Sequence, residues 1–70
     1  MKNLYRYYCV FGPPMPGTVP RGMVNLVEFD APKYVEKIDH EAWGYVEYEK
    51  PLTAYQVYEY ELAEEDTYEA

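Results

Sequence analysis

The sequence predicts an α+β fold: a small three-stranded, mainly antiparallel sheet, with a short helix between strands two and three and a short C-terminal helix. Three observations carry that reading. Residues 4–11, 23–29 and 42–49 are strand-length runs rich in aromatic and β-branched side chains. Asp30-Ala31-Pro32 and Thr53 have the chemistry of helix starts. Glycine and proline clusters separate the runs, and 70 residues allow a single domain, 1–70.

The first run, LYRYYCVF, meets no breaker before Gly12. Tyr5, Tyr7, Cys9 and Phe11 fall on one face and Leu4, Arg6, Tyr8 and Val10 on the other. Two fairly apolar faces predict a central strand or one covered on both sides. Residues 12–22 (GPPMPGTVPRG) hold four of the six prolines and three of the four glycines. Proline removes the amide donor and fixes φ, so neither ladder nor helix runs through. A stiff crossover over one end of the core is expected, with Met15 and Val19 plugging it; a role for this loop in interaction stays open.

The second strand is 23–29. Asp30 as N-cap and Pro32 in the first turn then predict a helix over 33–38, with Tyr34, Val35 and Ile38 inward. In the third strand, 42–49, Val46 and Tyr48 alternate with Glu47 and Glu49. Gly44 marks a bulge or a close backbone approach, and Trp43 is the expected core anchor. Thr53 caps a last helix to about residue 60, with Tyr55, Tyr58 and Leu62 as a stripe flanked by Val57. Strict alternation over Tyr58, Glu59, Tyr60, Glu61 and Leu62 favours a strand instead, so 60–62 is expected to return towards the sheet. Residues 63–70 have the composition of a frayed acidic tail.

Charge is the strongest functional signal. Residues 1–27 carry Lys2, Arg6 and Arg21 and no acid, whereas 28–70 carry thirteen acids against Lys33, Lys37 and Lys50, giving −7 for the chain. That balance argues against direct nucleic-acid binding, which needs clustered cations, and points to a basic partner. No run approaches the roughly 20 apolar residues of a membrane span. One cysteine and no export signal fit a reducing, cytoplasmic setting. Cys9 and His40 stand 31 residues apart without a CxxC or HxxxH pattern, so no metal or other cofactor is expected, and Cys9 reads as a buried small hydrophobe. No nucleophile motif or phosphate-cradling loop is present, and no catalytic residue is assigned.

Dense carboxylates imitate a run of phosphates, and the ten tyrosines offer rigid amphipathic contact area. The partner-binding candidates are Glu47, Glu49, Glu59, Glu61, Glu64, Glu65 and Asp66, with Tyr45, Tyr58 and Tyr60 as anchors. They describe a non-catalytic acidic inhibitor, a DNA mimic for the basic surface of a nucleic-acid-handling protein. Two other readings remain beside it: a structural or assembly protein acting as a homodimer, and a zinc-stapled interaction domain.

Three segments also resemble a known group. Gly12-Pro13-Pro14-Met15-Pro16-Gly17 leading to Pro20-Arg21-Gly22, then Ala42-Trp43-Gly44-Tyr45-Val46, then Pro51-Leu52-Thr53 followed by Tyr60-Glu61-Leu62, are similar to a family of small proteins from bacterial phages and conjugative elements. The resemblance spans most of 4–62 and implies a mobile-element setting, in which small acidic proteins block host defence. At the level of class, size and charge are similar to those of anti-CRISPR proteins, which implies a CRISPR effector nuclease as a partner. It transfers no site residues.

Overall fold

The computed structural model describes residues 4–64. Among these the fold is mostly β, not the expected α+β, and the sheet has four strands, not three: β1 (Tyr5–Cys9), β2 (Asn25–Val35), β3 (His40–Tyr48) and β4 (Leu62–Glu64), in the order β2-β3-β1-β4 with every neighbour antiparallel. One short α-helix, α1 (Ala54–Glu59), and a 3-10 turn (Pro16–Thr18) complete the described elements. β1 lies inside the sheet, as its two apolar faces suggested.

The helix expected over 33–38 does not form. Lys33, Tyr34 and Val35 pair with Ala42, Glu41 and His40, extending β2. The register shifts between Glu28 and Lys33, so residues 29–32 stand opposite Trp43 alone. β2 is an edge strand, and Pro32 lies where no ladder bond has to be made. Asp30 and Pro32, read as a helix start, are therefore the signature of an irregular edge. Residues 36–39 make the hairpin turn, with Ile38 N–H donating to Val35 O (3.2 Å) and Asp39 N–H to Glu36 O (3.2 Å). Asp39 is left-handed (φ 55°), a conformation that Asp tolerates better than most side chains. The Tyr34 hydroxyl donates to the Asp39 carboxylate across the turn.

The crossover from β1 to β2 passes over β3, because β3 lies between them. Gly44 makes this possible. A Cβ at Gly44 would overlap the Val27 carbonyl oxygen and stand 2.8 Å from Cδ and Cγ of Pro14. Pro14 is fully buried and Val19 nearly so, while Met15, expected as a plug, is half exposed. The core face gathers Tyr7, Cys9, Val19, Val46 and Tyr48, with Tyr5, Met23, Leu26, Leu52, Val57 and Leu62 packed around them. Tyr7 and Tyr48 meet edge to face at 6.0 Å. Trp43, expected as anchor, is only half-buried and outside this cluster. The two tyrosines fill its place and also satisfy loop groups: Tyr48 OH donates to Pro20 O (2.6 Å), and Tyr7 OH accepts from Leu52 N–H (2.9 Å). Burial pushes the Tyr48 hydroxyl up to about 12 and the Cys9 thiol up to about 11, so both stay protonated in the core.

The last helix forms as its cap predicts. Thr53 Oγ1 accepts from Gln56 N–H (3.0 Å) and Gln56 Oε1 accepts from Thr53 N–H (3.0 Å), a reciprocal capping box. Glu61, left-handed at φ 55°, ends the helix and turns the chain into β4, which pairs with Cys9, Tyr8 and Tyr7. The competing helix and strand signals over 58–62 were both real but belonged to successive residues. Ala63 and Glu64, read as tail, are sheet; 65–70 lie outside the described residues.

Candidate functional site at the α1–β4 corner

Of the ten partner-binding candidates eight lie among the described residues, and seven of these fall into two groups on opposite sides of the sheet. Glu47 and Tyr45 share the face away from the core, paired in register with Arg6 and Tyr8 of β1. Glu47 is only 8 % exposed. Its Oε2 accepts from Arg6 Nε (2.8 Å) and lies 2.7 Å from Arg6 Nη2, while Oε1 accepts from Asn25 Nδ2 (2.8 Å). Burial alone would raise this carboxyl; the bonds from Asn25 and Arg6, with the charge of Arg6, outweigh it and hold the group below the usual carboxylate range. Tyr45 stacks edge-on between Tyr8 (5.7 Å) and Phe29 (6.0 Å), with the Arg6 guanidinium 4.1 Å above its ring. Lys33 Nζ sits 5.1 Å from the Phe29 ring. These residues hold that face together, and Glu47 has both carboxylate oxygens engaged inside the protein. It presents no charge to a partner.

Glu59, Glu61, Glu64, Tyr58 and Tyr60 converge instead where α1 turns into β4. Tyr58 is 80 % exposed and Tyr60 40 %. An open groove of about 770 Å³ runs between helix and strand, floored by Leu52, Val57 and Leu62 and bordered by Ala54, Tyr58, Glu59, Glu61 and Glu64. A smaller one of about 300 Å³ lies on the other side of the turn, against Cys9, Phe11, Pro13 and Thr18, and Glu59 and Glu61 border this too. Among the described residues no lysine or arginine lines either groove. Three carboxylates therefore act together at this corner without a cation among the lining residues, a geometry that attracts positive charge.

Glu49 is exposed just past β3, away from the grooves, and Glu65 and Asp66 lie outside the described residues. Tyr55 was missed as a surface candidate. It is 70 % exposed, so the Tyr55–Tyr58 stripe faces solvent while Val57 turns to the core. The signal was available: a six-residue helix needs only a narrow apolar seam, and Leu52 and Val57 fill it.

The ligands of the zinc reading do not assemble. Cys9 is buried in the core, and His40 is exposed at the start of β3 with Nδ1 2.6 Å from Glu41 O. Among the described residues no group of three or more His, Cys, Asp or Glu side chains is placed to hold a metal ion. No helix among them is long and apolar enough to cross a membrane.

Fold and site together define a small four-stranded antiparallel domain with one acidic, tyrosine-bearing corner. Residues 2–67 match the family described as Defence against restriction A C-terminal, and the chain belongs to that family. This agrees with the mobile-element, anti-defence family that the sequence resembles, at that general level; it does not extend to anti-CRISPR proteins. Searches of curated proteins and of solved structures returned no match.

Proposed function

We propose that this domain serves defence against restriction by binding and not by catalysis, docking its α1–β4 corner on the basic, nucleic-acid-binding surface of a restriction-system protein. The observation that carries the reading is the convergence of Glu59, Glu61 and Glu64 beside the exposed Tyr58 at a corner where no cation is among the described lining residues. Carboxylates there meet lysines and arginines that otherwise hold phosphates, and the tyrosine adds apolar area at small entropic cost. The family name favours a restriction enzyme as partner over the CRISPR effector that the anti-CRISPR likeness suggested, and a basic cleft is the chemistry common to both.

Charge reversal tests it. The Glu59→Lys/Glu61→Lys/Glu64→Lys variant should keep the wild-type circular dichroism, since all three side chains are exposed. Its affinity for host restriction endonucleases should fall at least tenfold, about 1.4 kcal/mol, and wild-type affinity should fall between 50 and 300 mM salt. Unchanged capture by the variant would end the proposal.

A further inference from the structure

The two edges of the sheet are built differently. The β2 edge is broken by the register shift over residues 29–32 and carries Pro32 and Lys33, devices that discourage another strand from pairing there. The β4 edge is short, three residues, but carries no proline, no lysine and no bulge; among the described elements it pairs with β1 alone. Leu62 and Glu64 lie opposite Cys9 and Tyr7 and so face the core side, where the 770 Å³ groove opens beside α1. Ala63, opposite Tyr8, faces the other way.

From this asymmetry, and resting on the function proposed above, we infer that β4 is a docking edge for an extended basic segment of the partner, added as a fifth strand. Side chains of an added strand alternate between faces. One apolar set would enter the groove over Leu52, Val57 and Leu62, with lysines or arginines along the segment reaching Glu59, Glu61 and Glu64. A second copy of this chain is the wrong occupant. Pairing β4 with β4 brings the carboxylates at 61 and 64 of one copy close to those of the other, and like charges placed across a strand pair repel. Main-chain bonds along the edge would supply affinity and the acidic rim the preference for cations.

The probe is a capped synthetic heptapeptide of alternating lysine and valine, titrated into the 15N-labelled full chain. Saturable shifts are expected at the amides of Leu62, Ala63 and Glu64 and around Tyr58 and Glu59. N-methylation of one alternate set of peptide residues should weaken binding at least tenfold, because it removes the donors that face the edge. A glutamate–valine peptide should not bind. Equal binding of both N-methylated isomers would mean that the carboxylates only adsorb cations, and would overturn the inference. Shifts centred on β2, an absence of saturable binding, or dimerisation through β4 in sedimentation would do the same. Should these results fail while the triple lysine variant still loses capture of restriction endonucleases, strand addition falls alone; should capture also survive, the parent reading falls with it.

Discussion

Glu47 shows how one residue changes role between sequence and structure. Alternation puts it on the solvent side of its strand, and it sits there, yet Arg6 reaches across from β1 and Asn25 from β2 to enclose it. An exposed ion pair contributes little, but this carboxylate is mostly buried and receives hydrogen bonds from two side chains. Because its folded pKa is depressed, its contribution is present above the unfolded value of about 4.3 and is lost as pH falls through the folded one. Glu47→Gln should therefore cost about 1–2 kcal/mol at pH 7 and make the thermal midpoint less sensitive to pH below about 4. Melting curves from pH 7 to pH 2 check this; parallel acid limbs for the two proteins would mean that the pair does not hold the fold.

At the scale of elements, the proline crossover depends on Gly44 more than on its own sequence. The loop needs β3 to lack a side chain where Pro14 rests against it. Gly44→Ala should destabilise by about 3 kcal/mol, near the upper end of overpacking costs, whereas Gly12→Ala, with nothing within 4 Å of the new methyl, should be nearly neutral. Denaturant titration of both variants decides it, and equal midpoints would remove Gly44 from the argument. The close approach was legible in the sequence, since a lone glycine inside a strand announces one. The central position of β1 and the Thr53 cap were legible too, because both are local patterns. The extension of β2 through Pro32 was not. It depends on β2 lying at an edge, a long-range outcome that residues 30–32 do not encode. β4 was legible only in part: the return of 60–62 towards the sheet was expected, but Ala63 and Glu64 read as tail. Three residues are too few for periodicity, and Leu62–Glu64 becomes a strand only because β1 lies beside it.

Over the whole molecule, the uneven charge of the sequence is partly resolved by folding. Arg6, from the basic front third, is spent on Glu47, and Lys33 lies over Phe29. Among the described residues the carboxylates at α1–β4 line their grooves without such a cation, so negative charge gathers uncompensated by the groove linings at this corner. Glu59, Glu61 and Glu64, named together from the sequence, line one groove because they are close along the chain. The sequence grouped Glu47 and Tyr45 with them because it could not see which side of the sheet the helix covers.

Hydrogen–deuterium exchange of the domain, alone and saturated with a captured restriction endonuclease, locates the contact most directly. Added protection over residues 54–64, with β2 and the Tyr8–Tyr45 face unchanged, is the predicted result. Protection centred on Arg6, Tyr45 and Phe29, with 54–64 exchanging as before, would contradict it and move the site to the other side of the sheet.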